Sequence, residues 1–227
     1  MNTVLVVGGS HGIGHALVRQ QLEHHQVISL SRTSSEIKAP NFNEYLLDVC
    51  TENLPELDSL DAIIYCPGSI QLKPISSLKE NTLREDFEIN VVGGYRVIRQ
   101  YHRVLKKGAN PSIVMFSSVA VAQGMPFHVS VAAAKGAVEG MVRTLAAEFA
   151  PTIRVNAIAP TITDTPLAAG FLRNDKMRDK MKERHPLKRI LDVDEVASMA
   201  SYLISDHAKS ITGQIIGIDA GMSIVRN

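Results

Sequence analysis

Short apolar runs, each about as long as a β-strand, alternate with longer helix-like stretches along the whole chain. Most of these runs show no polar alternation, which is typical of strands buried on both faces. This order predicts a parallel sheet covered by helices on both faces, with right-handed connections. The predicted strands are Val4–Val7, Val27–Leu30, Tyr45–Val49, Ala62–Tyr65, Ile113–Phe116, Val155–Ala159 and Ile215–Ile218, and the predicted helices are Ile13–Leu22, Leu83–Leu105, Ala132–Phe149 and Val193–Leu203.

Length and composition are those of an ordinary globular chain. The 227 residues fit one α/β domain spanning positions 1–227. Hydrophobic residues make up 45% and charged residues 21%, and the net charge of +1 offers no basic surface to nucleic acid. The start of the chain does not resemble a signal peptide, and no apolar run reaches the roughly 18–20 residues of a membrane span. Cys50 and Cys66 form no CxxC pair, so we expect buried thiols, no metal site and a cytoplasmic protein.

A polar, basic segment between residues 166 and 190 fits neither the strand nor the helix series. It is interpreted either as a lid over a ligand or as a surface pair of helices. Its position favours the lid.

Glycines at positions 8, 12 and 14 follow the first predicted strand, in the segment Gly8-Gly9-Ser10-His11-Gly12-Ile13-Gly14. Glycine at these positions permits a tight turn and lets a pyrophosphate approach the backbone closely. The helix that follows presents unpaired N–H groups and the positive end of its dipole to the phosphates. The spacing therefore predicts a dinucleotide site at the end of the first strand.

A second group of residues follows the fifth predicted strand. Ser118 ends that strand, and Lys135 stands on the next predicted helix, four positions after Val131. Residues four apart share one helix face, so an ammonium at 135 would lie beside the side chain at 131. Val131 itself stands thirteen positions after Ser118.

These motifs resemble the short-chain dehydrogenase/reductase family over nearly the whole chain. The glycine loop, Ser118 and Lys135 match the family pattern, and so do the segments 153–160 and 212–221. The resemblance implies a Rossmann-type, doubly wound parallel sheet of about seven strands in the order 3-2-1-4-5-6-7. It also implies a nicotinamide dinucleotide cofactor, a small carbonyl or alcohol substrate, and a homodimer or homotetramer formed through the helices at 83–105 and 132–149.

The same resemblance assigns the cofactor contacts. Asp48 and Val49 match the pair that meets adenine, Gly68 is the one residue kept in the loop after the fourth strand, and Lys135 would also hold the nicotinamide ribose. The full implied set is Gly8, Ser10, His11, Gly12, Ile13, Gly14, Ser31, Arg32, Asp48, Val49, Gly68, Asn90, Lys135, Pro160, Ile162 and Thr165.

The end of the second strand implies NADP(H) in preference to NAD(H). Family members that prefer NAD carry an acidic residue there, whereas this chain has Ser31 followed by Arg32. A hydroxyl and a cation suit a 2′-phosphate that a carboxylate would repel. His11 falls where many NADP-preferring relatives carry a basic residue.

The resemblance assigns Asn90, Ser118 and Lys135 to the chemistry, but the family's tyrosine is replaced by Val131. In the family the lysine lowers the pKa of that tyrosine, which acts as the proton donor. Valine can neither donate nor accept a proton. The proton could come instead from His128, from Ser130, from water or from the substrate.

Two functions therefore remain open, and a third is less favoured. The first is an NADP(H)-dependent oxidoreductase with an altered proton donor, supported by Asn90, Ser118 and Lys135. The second is a cofactor-binding regulator or partner subunit without efficient catalysis, supported by Val131. An elimination or isomerisation on the same scaffold is the third, because a fold does not fix a function.

Overall fold

The computed structural model of the protein describes residues 2–225. Its centre is a seven-stranded sheet in the order β3-β2-β1-β4-β5-β6-β7, with every neighbouring pair parallel. This confirms the predicted fold class and strand order. The strands are β1 (Thr3–Val7), β2 (Gln26–Ser31), β3 (Phe42–Leu46), β4 (Ala62–Tyr65), β5 (Ser112–Phe116), β6 (Arg154–Pro160) and β7 (Ile215–Ile218).

Helices cover both faces because successive residues of the central strands point to opposite sides. The helices are α1 (Gly12–Leu22), α2 (Glu80–Phe87), α3 (Gly93–Leu105), α4 (Val119–Ala122), α5 (Val129–Phe149), α6 (Asp175–Glu183) and α7 (Val193–Ile204). Val4 and Val6 of β1 pack under α1 and α7, whereas Leu5 and Val7 pack under α3 and α5. Within residues 2–225, none of these helices is long and apolar enough to cross a bilayer.

The stretch predicted as one helix over Leu83–Leu105 is a rod of three parts. A π-helical turn, Glu88–Val92, joins α2 to α3. The Tyr65 hydroxyl at the end of β4 donates a 2.6 Å hydrogen bond to the carbonyl of Ile89 within this turn. Any side chain at position 93 would collide with that hydroxyl, so the approach requires Gly93. Such turns are frequent at functional sites, and this one carries Asn90.

Two further boundaries differ from the prediction in ways that affect the site. The third strand is Phe42–Leu46 rather than Tyr45–Val49, so Asp48 and Val49 lie in the turn beyond it. Helix α5 begins at Val129, three residues earlier than predicted, which places Val131 in its first turn. The basic segment forms a short 3₁₀ helix, Pro166–Phe171, followed by α6.

Candidate active site

A cleft of about 990 Å³ opens at the carboxyl ends of the strands. Strand β1 pairs with β2 on one side and β4 on the other, and this change of direction leaves a crevice in such sheets. Nearly all the site residues expected from the sequence contribute to its wall: Gly8, Ser10, His11, Gly12, Ile13, Gly14, Ser31, Arg32, Asp48, Val49, Gly68, Ser118, His128, Val131, Lys135, Pro160, Ile162 and Thr165. Asn90 is the exception and lies behind Gly68.

The glycine loop forms one end of the cleft, between β1 and α1. A side chain at Gly14 would overlap the carbonyl oxygen of Gly8, so the first turn of α1 can pack this closely only with glycine there. His11 precedes the helix without capping it through its side chain. The first N–H groups of α1 therefore stay available to an anion.

The residues after β2 carry positive charge and no carboxylate. Ser31 is buried and shares a 3.1 Å hydrogen bond with Ser29, whereas Arg32 is exposed at the rim. His11 shares a 2.9 Å hydrogen bond with Ser10, whose hydroxyl also accepts one from Thr33. Within residues 2–225, Asp48 is the only acidic residue in the cleft wall, and its carboxylate accepts a 2.8 Å hydrogen bond from the backbone of Cys50.

Lys135 is buried at the other end of the cleft. Its ammonium donates a 2.8 Å hydrogen bond to the carbonyl of Phe116, the last residue of β5. Burial lowers the pKa of Lys135 to about 8, although the nearby Cys66 and Asp86 act in the opposite direction. The lysine is held as a cation at a cost in desolvation, which is frequent at functional sites.

Asn90 and Lys135 converge on Gly68. A carbon attached to Gly68 would lie 3.4 Å from the Asn90 Oδ1 atom and 3.4 Å from the Lys135 Nζ atom. The Asn90 Nδ2 atom donates to the Asp86 carbonyl at 2.7 Å. The Oδ1 atom is buried and has no partner within residues 2–225. A buried acceptor of this kind calls for a water or ligand partner.

Val131 and Ser118 complete this end of the cleft. Val131 is only 4% exposed and, four residues before Lys135, shares its helix face. Ser118 precedes α4, and its hydroxyl accepts a hydrogen bond from the Ala120 backbone at 3.2 Å. The Ser118 hydroxyl and the Lys135 ammonium therefore border the site. Between them in the motif, the apolar Val131 stands at the position where a tyrosine was expected.

The two side chains considered as replacement donors lie in different surroundings. His128 lines the cleft, and its Nδ1 atom is 2.7 Å from the Pro126 carbonyl, so the proton stays on Nδ1 and the Nε2 atom faces no protein partner within residues 2–225. Ser130 is buried outside the cleft wall, and its hydroxyl donates a 2.5 Å hydrogen bond to Asp86.

Sequence reasoning missed a polar cluster formed by the half-buried Ser69 and the buried residues Asp86 and Ser130. Asp86 on α2 has no solvent exposure and accepts hydrogen bonds from both serine hydroxyls. Ser69 also accepts from the Asn90 side chain at 3.2 Å. These residues are far apart in sequence and form no recognisable spacing, so only the fold brings them together.

A buried histidine at the end of α6 was also missed. His185 is 1% exposed, and its Nε2 atom is 2.8 Å from the Thr161 hydroxyl beyond β6. Its Nδ1 atom donates to the Met181 carbonyl at 2.8 Å. This contact ties the basic segment to the sheet beside the cleft.

A parallel sheet in this order, with a glycine turn opening a helix at the edge of a cleft, defines a Rossmann-type dinucleotide-binding fold. A family profile described as enoyl-(acyl carrier protein) reductase matches residues 43–223. A tropinone reductase homolog of Arabidopsis thaliana is 30% identical to this chain, and the matched region covers 98% of this chain and 91% of the homolog.

Solved structures agree with these matches. A short chain dehydrogenase family protein from Francisella tularensis has a TM-score of 0.89 and 28% identity, covering 98% of this chain and 99% of that one. 4-hydroxyisoleucine dehydrogenase, solved with NADH, has a TM-score of 0.89 and 25% identity, covering 100% of both chains. The chain therefore belongs to the short-chain dehydrogenase/reductase family of oxidoreductases, as its motifs predicted.

Proposed function

We propose that this protein is an NADP(H)-dependent oxidoreductase that interconverts a carbonyl and an alcohol, with a proton donor other than a tyrosine. The observation that carries the proposal is the convergence of Lys135 and Asn90 on Gly68, inside the cleft that begins at the glycine loop. The apolar side chain of Val131 takes the place of the usual acid, but the Lys135 ammonium, the Asn90 amide and the Ser118 hydroxyl are present.

The preference for NADP(H) is supported by charge. Arg32 is exposed at the rim beyond β2, within reach of a phosphate on the adenosine ribose, and it has no acidic partner within residues 2–225. His11 adds a second donor on the glycine loop. A bidentate guanidinium contact with a phosphate is strong and specific, so we expect tighter binding of NADPH than of NADH.

The substrate is proposed to be a partly apolar aldehyde or ketone, or the matching alcohol. Apolar side chains supply the cleft wall on the side of the basic segment: Met125, Phe127, Leu167 and Phe171. We assign residues 166–190 as a substrate lid on one domain of residues 1–227. The free thiols of Cys50 and Cys66 suit a reducing compartment, and we propose a cytoplasmic protein.

The test is NADPH oxidation over a panel of aldehydes and ketones, with the native protein beside Val131→Tyr and with NADH in parallel. We expect native turnover with at least one carbonyl and a preference for NADPH. Turnover that Val131→Tyr does not improve would place the proton donor elsewhere in the site.

A second function is favoured by Val131 itself, an apolar side chain at the position of the acid. The protein would then bind NADP(H) as a regulator or partner subunit without turnover. Binding of NADPH by the native protein, with turnover only in Val131→Tyr, would establish this alternative and overturn the first proposal.

A further inference from the structure

We propose that Ser69 and Asp86 form the proton relay of this site and replace the acid missing at position 131. The inference rests on the proposed function, because it concerns the proton that accompanies hydride transfer. Neither residue belongs to the motifs that identify the family in this chain.

Asp86 is a carboxyl group without an ion-pair partner inside the protein. It has 0% exposure, and within residues 2–225 it forms no salt bridge. Burying an ionised carboxylate is costly unless hydrogen bonds or a nearby cation compensate it. Two serine hydroxyls and the field of Lys135 supply that compensation here. A buried carboxyl group that a serine joins to the wall of a cleft is a candidate for a role in the chemistry there.

Ser69 connects this carboxylate to the cleft. Its hydroxyl donates to the Asp86 Oδ1 atom and accepts from the Asn90 Nδ2 atom, and the residue lines the cleft wall next to Gly68. A hydroxyl has two acceptor positions, so one remains after Asn90 is bound. Ser69 can therefore accept a proton from a bound alcohol while its own proton passes to Asp86.

The transfer balances in both directions. In alcohol oxidation the substrate O–H proton passes to Ser69 Oγ, and the Ser69 proton passes to Asp86 Oδ1. The hydride leaves the carbinol carbon for the oxidised nicotinamide, and the carbon–oxygen double bond forms. After the product departs, Asp86 returns its proton through Ser69 to water in the cleft. Reduction is the reverse, with neutral Asp86 as the acid and the alkoxide oxygen as the final acceptor.

The other candidates are less well placed. Ser130 holds Asp86 from outside the cleft wall and cannot reach a ligand there. His128 lies on the loop before α5, its Nδ1 atom is engaged by the Pro126 carbonyl, and no hydrogen bond within residues 2–225 joins it to Asn90 or Asp86. Ser69 is joined by hydrogen bonds to both Asn90 and Asp86, which fixes its direction before the substrate binds.

The experiment compares Ser69→Ala, Asp86→Asn and His128→Ala with Ser117→Ala as the matched control. Ser117 is a serine beside the cleft that, like Ser69, donates to a buried carboxylate, here that of Glu139 at 2.8 Å. Removing its hydroxyl takes one hydrogen bond from a buried carboxylate without touching the proposed relay. The readouts are NADPH affinity by fluorescence titration, kcat and KM with the best carbonyl of the panel, and the solvent isotope effect on kcat.

We expect Ser69→Ala and Asp86→Asn to lower kcat about 10²–10⁴-fold, the usual contribution of a general acid or base. NADPH affinity and KM should change little, the solvent isotope effect should differ from that of the native protein, and Ser117→Ala should retain native kcat. If Asp86→Asn does not fold, kcat of the Ser69→Ala variant is sufficient to test the relay.

Native kcat in a folded Ser69→Ala variant would overturn the relay while leaving the proposed function intact. A loss confined to His128→Ala would overturn it in favour of the histidine. NADPH binding by the native protein without turnover of any carbonyl would instead overturn the proposed function, and the relay with it.

Discussion

The Lys135 ammonium and the Asp86 carboxyl are both removed from water on the same side of the cleft. Lys135 is satisfied by a single backbone carbonyl, that of Phe116, and its pKa is lowered chiefly by burial. A cation in such surroundings reduces stability wherever it is charged in the fold, since the unfolded chain would solvate it fully. We therefore expect Lys135 to act on a bound ligand rather than to stabilise the fold.

This cost predicts a specific pH dependence of stability. The pKa of Lys135 falls from 10.5 to about 8 on folding, so between these values the unfolded chain binds more protons than the native protein. The contribution of Lys135 to the free energy of unfolding therefore rises with pH across that window, by about 3 kcal/mol. Urea denaturation of the native protein and Lys135→Met at intervals from pH 7.5 to 10.5 measures it.

The difference between the two proteins is the quantity to follow, because the buried Tyr65 and Cys66 have raised pKa values and titrate in both. The native protein should gain relative to Lys135→Met as the pH rises. Parallel stability curves would show that Lys135 keeps its ordinary pKa in the fold.

At the scale of elements, the π turn between α2 and α3 determines where Asn90 lies. Asn90 lies within this turn, and from there its side chain donates hydrogen bonds to the Ser69 hydroxyl and to the Asp86 carbonyl. The turn is held from the sheet by the Tyr65 hydroxyl at the end of β4. The end of β4 therefore positions the π turn, and the π turn positions the Asn90 amide.

We predict that Tyr65→Phe lowers both stability and turnover. Loss of the hydroxyl removes one hydrogen bond from the half-buried Ile89 carbonyl, at a cost of about 0.5–1.5 kcal/mol. Turnover should fall because Asn90 is carried by the released turn. Urea denaturation measures the first effect, and kcat with the best carbonyl of the panel measures the second.

Tyr101→Phe is the matched control for this prediction. Tyr101 is equally buried and donates to the Pro55 carbonyl at 2.7 Å, on α3 away from the cleft. It should lose similar stability while keeping native kcat. Equal kcat in the two variants would show that the site does not depend on the Tyr65 contact.

At the scale of the whole molecule, the sequence predicted most of the sheet and little of the polar cluster. The buried strands β1, β4 and β5 are apolar except for Thr3 and Ser112 at their first positions, so their limits were correct to within a residue. The third strand was misplaced because β3 is a half-exposed edge strand whose polar residues break the pattern. The π turn was invisible because apolar periodicity continues through it. Contacts among Ser69, Asp86 and Ser130 depend on three-dimensional packing and leave no local signal.

The surface of the helical rod leads to the last prediction, a homodimer or homotetramer. Leu83, Phe87 and Tyr95 are 36%, 40% and 50% exposed, at spacings that place them on one side of the rod. Contiguous exposed apolar side chains of this size mark interaction surfaces. Phe87→Asp should therefore lower the molar mass measured by light scattering, whereas Leu46→Asp, at an even more exposed apolar position on the edge strand, should not. A native protein with the mass of one chain would contradict the prediction, since this surface would then face water without a partner.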